Sequence, residues 1–263
     1  MRTLIWVVAG AAIVATVARY AVSIAMGQGE DVVSETVFTV TCLAAGGWLA
    51  ERPATRRIGL VFAAGGVLGS VDPAMWLWRR IGPPFPEIGN DVSFDAWLTY
   101  WLWVPQVLMV PLVAMALYPD GRVRLRSAMG IAVAAVVTAS VAGATYNWPR
   151  SDGGSHGNPL SLPLRDARLL QWATVALVAV ALVAVLVSLA ARRPAAGQAT
   201  RRLLLIPYAV AAVALVQLSL LRFLPAVAHD LRWALVLLVV ASTAGLARVT
   251  GPRPERKAAG ARG

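Results

Sequence analysis

Residues 168–190 read RLLQWATVALVAVALVAVLVSLA. After Arg168 the stretch carries no charge and is built almost wholly from Ala, Leu and Val. About 20 such residues, wound at roughly 1.5 Å each, match the hydrocarbon slab of a bilayer, about 30 Å thick. Lipid offers backbone amides no hydrogen-bond partner, so a span must be a helix or part of a closed barrel. The run lacks the in–out alternation of a barrel strand, which selects the helix.

Seven more apolar segments follow the same logic, at 3–25, 32–50, 58–78, 96–118, 127–147, 203–223 and 231–249. The expected fold is therefore all-α, a polytopic transmembrane helical bundle of about eight spans over 1–250. A basic, Pro/Gly-rich tail over 251–263 is expected to be disordered. Composition agrees: 58% of the 263 residues are hydrophobic and 14% charged, against about 25% charged in soluble domains. Mean hydropathy is +0.66. Met1-Arg2 before an apolar run resembles a signal peptide. The run continues past Ala18, however, and more spans follow, so an uncleaved first helix is expected.

The net charge of +11 raises the question of nucleic acid. The basic residues instead flank the spans, where they set orientation. Both termini and the even-numbered connections hold 16 of the 24 Lys and Arg, the opposite connections seven, and Arg19 lies within the first span. The rich side includes Arg52, Arg56, Arg57, Arg122, Arg124, Arg126, Arg192, Arg193, Arg201 and Arg202. Both termini are accordingly expected in the cytoplasm, and the membrane is expected to be the plasma membrane. Most tryptophans, Trp76, Trp97, Trp101 and Trp103 among them, fall near outer span ends. Indoles favour that boundary. The four could form a plain aromatic belt or an outer aromatic surface for a ligand or lipid.

The most distinctive motif is Trp101-Leu102-Trp103-Val104-Pro105, followed by the rest of a span and then Tyr118-Pro119-Asp120-Gly121-Arg122. Pro105 and Pro111 each remove a backbone donor, so a kink or hinge is expected in this helix. Pro119-Asp120-Gly121 is a turn signal that ends it. These two motifs recur with Asn158-Pro159-Leu160, with Gln198 through Leu203, and with Arg52-Pro53 before Arg57-Ile58-Gly59. Taken in chain order they resemble the N-terminal multi-spanning region of actinobacterial sensor histidine kinases. The usual motifs of that group are W-x-W-V-P, F-P-D-G-R and N-P-L; Tyr118 here replaces the phenylalanine.

The resemblance implies a sensor-like membrane module and covers most of 45–250. In that group the membrane region leads into a phosphoacceptor helix and an ATP-binding domain, whereas 13 residues follow Thr250 here. The only histidines, His156 and His229, are expected outside, away from cytoplasmic ATP. Kinase chemistry is therefore not expected of this sequence. A stand-alone module, a split system with a separate partner and a truncated reading frame all stay open. Arg122, Arg192, Arg193, Arg201 and Arg202 are the candidate contacts for a cytoplasmic signalling protein.

Arg19 and Asp72 lie in or near spans, where a lone charge costs several kcal/mol. An intramembrane pair between them would relieve both. Gln106 and Gln217 are mid-span amides suited to bonding neighbouring helices. Gly65 and Gly69 give a G-x-x-x-G spacing for close packing, within the bundle or between protomers of a homo-oligomer. The lone cysteine, Cys42, permits no intrachain disulfide and no multi-cysteine metal site. No nucleophile–base set, paired carboxylates or phosphate loop can be drawn, so no catalytic, cofactor-binding or metal residue is expected. A small transporter or permease working through Asp72 and Arg19 is the alternative to a signal-relay module. A lipid-modifying enzyme is a weaker third reading, and no clear internal repeat supports an inverted-repeat transporter.

Overall fold

The computed structural model describes residues 2–27, 29–89, 92–119, 121–123, 125–145, 158, 160–192, 205, 236–237 and 239–247. Helices form at Arg2–Ala25 (α1), Gly29–Ala50 (α2), Arg56–Ile81 (α3), Phe94–Leu117 (α4), Arg126–Ala144 (α5) and Leu164–Arg192 (α6). Each holds a stretch long and apolar enough to cross a membrane. The chain is thus a multi-pass helical membrane protein, and six of the expected spans fall on these six helices. The expected span 203–223 lies outside the described residues apart from Leu205, which is helical. In the expected span 231–249, residues 236–237 and 239–247 are helical. There Val236, Val239 and Leu246 join the common core while Leu237 and Val240 are exposed.

The helices start earlier than the apolar runs do. Helix α6 opens at Leu164, where the Ala167 N–H donates to the carbonyl of Pro163, 2.9 Å away. Polar first turns belong to the headgroup layer, which hydropathy leaves out. Helices α3 and α4 are joined by an antiparallel ribbon of β1 (Glu87–Gly89) and β2 (Val92–Ser93), the only strands among the described residues.

Packing in lipid lacks a hydrophobic drive between helices and depends on close dispersion contact. Helices α2 and α3 make the most extensive interface, and small residues allow it. A methyl group placed on Gly46 would sit 2.4 Å from the amide nitrogen of Ala63. One on Gly59 would sit 2.3 Å from that of Ala50. Helix α1 packs on both α2 and α3 but leaves Val7, Val14, Val17 and Ile24 exposed, so it is the outermost helix of this group. Helix α4 is central, touching α3, α5 and α6.

Successive helices run antiparallel. At one end of the bundle the Trp6 indole N–H donates to Glu51, 2.6 Å away. At the other end Arg80 lies 3.9 Å from the Met26 sulfur, and the Trp97 indole N–H donates to the Ala144 carbonyl at 3.1 Å. The loop after α2 and the turn after α4 share the first end, because a methyl on Gly121 would stand 2.9 Å from the Ala54 carbonyl oxygen.

Candidate functional site

The chemistry-bearing residues gather along α4, and its sequence explains their order. Ser93 is extended, Phe94 begins the helix, and Asp95 falls in the first turn. A carboxylate there meets the positive end of the helix dipole. Asp95 is 2% exposed and ion-paired with Arg79 in the last turn of α3. Asp95 is not among the residues the apolar pattern singles out. Its signal in the sequence is an acidic residue immediately before the expected span 96–118, across a connection that begins with Arg79 and Arg80.

One turn deeper the aromatic residues separate. The Trp97 ring lies 5.9 Å from Phe94 and 5.7 Å from Trp101, both pairs tilted, and this cluster faces α5. Trp76 instead sits under the Arg80 guanidinium, 4.9 Å from its ring centre. Trp103 is 39% exposed. Of Trp76, Trp97, Trp101 and Trp103, the structure thus brings Trp97 and Trp101 into ring contact and holds the other two indoles in other settings. Positions 101 and 103 are about 200° apart around a helix, which alone sends their side chains to different flanks.

The expected hinge also divides. Pro105 lies within regular α-helix, whereas Met109–Ala114, which contains Pro111, winds as a π-helix. A proline ring collides with the preceding turn of an α-helix, and an extra residue in that turn makes room. The irregularity belongs to Pro111. Val110, Pro111, Leu112 and Ala114 are buried there.

Between the two prolines, the Gln106 side-chain amide donates to the Thr39 hydroxyl of α2 at 3.1 Å, and both residues are buried. The bond crosses α3 where Gly69 leaves space. A methyl on Gly69 would lie 2.0 Å from Gln106 Nε2 and 2.6 Å from Thr39 Oγ1. Gly65 faces the Gln106 backbone carbonyl, 3.6 Å from where its methyl would be. The G-x-x-x-G spacing thus serves contact inside the bundle. Gln217 lies outside the described residues.

Arg19 of α1 and Asp72 of α3 form an ion pair and hydrogen bond, both side chains partly buried. Asp72 is one helical turn beyond Gly69, so the charge pair and the amide anchor occupy adjacent turns of α3. Arg19 lies roughly 9 Å in from the Ala25 end of α1 at helical rise.

At the far end of α4, Tyr118 is fully buried, the Tyr118–Pro119 bond is cis, and Gly121 has φ +69°. The Gly121 N–H donates to the Leu117 carbonyl at 2.8 Å. The Thr55 hydroxyl closes the neighbouring loop by donating to the Leu49 carbonyl at 2.9 Å. Arg52 lies over the Trp48 ring at 3.7 Å, and Arg57, Arg122 and Arg126 are exposed around this end. Of the expected cytoplasmic contacts, only the Arg122 side chain is described. The Arg192 side chain, Arg193, Arg201 and Arg202 lie outside the described residues, as do His156 and His229. Among the described residues no three His, Cys, Asp or Glu side chains converge as a metal set would.

The arrangement defines a class: a helical membrane bundle with a central, proline-interrupted helix linking an aromatic, ion-paired end to an arginine-rich end. No family model matches the chain, and comparison with the curated proteins and with the solved structures finds no match.

Proposed function

We propose that this chain is a sensor-like or signal-relay module of the plasma membrane. It spans the bilayer eight times with both termini cytoplasmic. The observation that carries this reading is α4, which is central in the bundle, π-wound at Pro111, and continuous from the Trp97–Trp101 contact to the Gly121 turn. A displacement at the aromatic end would reach the arginine-rich end through one helix with a soft turn in its middle. The resemblance of the WLWVP and YPDGR motifs to the membrane regions of sensor histidine kinases supports the same reading, and so does the bias of Lys and Arg toward one side.

The cytoplasmic face then presents Arg122, Arg192, Arg193, Arg201 and Arg202 to a signalling protein. Reversing these five to Glu in the full chain in nanodiscs is expected to abolish co-purification of a kinase or response protein. Unchanged capture of every inner partner removes the relay surface. A second reading, a small transporter, draws on the Arg19–Asp72 pair. It requires that Asp72→Asn stop solute or proton flux in proteoliposomes, and equal flux from wild type, Asp72→Asn and empty vesicles excludes it.

A further inference from the structure

We infer that the leading end of α6 seats the headgroup of an anionic phospholipid. A groove of about 410 Å³ opens there, lined by Arg165, Arg168, Leu169 and Trp172. The spacing i, i+3, i+4, i+7 places all four on one stripe of the helix. Both arginines are exposed, and neither has a carboxylate partner among the described residues. At the same end of the bundle Arg79 is paired with Asp95 and Arg80 is stacked on Trp76. Two like charges three residues apart repel, and an anion between them reverses the sign of that interaction.

Depth argues for a lipid. The span of α6 covers Arg165–Ala191, 27 residues, or about 40 Å at helical rise. That exceeds the hydrocarbon thickness of about 30 Å by some 10 Å. Counting about 20 residues back from Ala191 puts Trp172 at the hydrocarbon boundary and both arginines in the headgroup layer. Beyond Trp172 the stripe continues through Val180, Val183 and Val187, each more than half exposed. Charge, indole and bare aliphatic surface follow one another as phosphate, glycerol and acyl chain do in a phospholipid. This end of α6 lies opposite the arginine-rich end of the bundle, so orientation by basic loops gives no reason for arginines here.

The test is native mass spectrometry of the full chain in detergent, with phosphatidylglycerol, phosphatidylcholine or inorganic phosphate added. Wild type is expected to retain phosphatidylglycerol at least tenfold better than phosphatidylcholine. Arg165→Gln with Arg168→Gln should lose that preference, and Arg165→Lys with Arg168→Lys should keep most of it. Trp172→Ala should weaken retention of both lipids. Equal retention of the two lipids by wild type overturns the proposal, and so does an unchanged preference in the double Gln variant. Occupancy by inorganic phosphate that displaces the lipid also overturns it, because the site would then read a free anion. A melting profile of each variant in the same detergent separates lost binding from lost folding.

Discussion

Gly69 has no side chain because Gln106 and Thr39 already occupy the space a side chain would take. Gly69→Val should therefore overpack the junction of α2, α3 and α4 by about 1–3 kcal/mol. The measurement is a detergent melting curve. Combining it with Gln106→Ala should recover part of the loss, since the two changes share one volume and contacting sites are not additive. Strict additivity would show that Gln106 is not what Gly69 accommodates. The Arg19–Asp72 pair behaves differently, because removing one charge strands the other. Asp72→Asn alone should destabilise the bundle more than Asp72→Asn with Arg19→Gln, as with other low-dielectric ion pairs. Melting curves of the three variants decide it, and a double variant less stable than the single would contradict the argument.

At the scale of the element, α4 differs from its neighbours in holding two prolines and a π-wound turn at Met109–Ala114. Pro111→Ala restores the missing donor and removes the ring that forces the wide turn. Amide exchange over 109–114 should then slow by about tenfold, corresponding to a gain of roughly 1.4 kcal/mol in local opening energy. Pro105→Ala should leave exchange over 109–114 nearly unchanged, because that proline lies in regular helix. Equal responses from the two variants would tie the irregularity to something other than Pro111. Two prolines in one span pointed to a weak point, but their spacing did not say which would distort the helix. Each proline disfavours the helix alike, and only the structure shows that the wide turn falls at Pro111, where Val110, Leu112 and Ala114 are buried.

For the whole molecule, the antiparallel order of the helices separates two ends whose sidedness can be read chemically. Cys42 is fully buried, so the native thiol should stay silent toward a membrane-impermeant maleimide. Pro84→Cys, in the α3–α4 connection, should label from outside in intact cells, and Arg122→Cys only after the membrane is opened. The reverse pattern would invert the proposed topology, and labelling of both from outside would break it. Neither variant touches the Arg165–Arg168 groove, so the result is independent of lipid binding there.

Much of this protein was written in its composition and order. Runs such as 168–190 require helices, because a backbone in lipid has only itself to bond with. The number of apolar residues sets each length, and the turn residues around Gly121 end α4 where its carbonyls need a new partner. Tertiary structure alone decided which residues meet. It turned Gly65 and Gly69 inward to Gln106, buried Asp95 beside Arg79, and set Trp103 apart from the Trp97–Trp101 contact, whereas the Arg19–Asp72 pair could be named from the two charges in apolar runs. A hydrophobic pattern fixes that a helix crosses but leaves its rotation free, since lipid and a neighbouring helix are almost equally apolar. Rotation is chosen by close packing of small residues and by the few polar groups that must find partners, and those depend on the whole bundle.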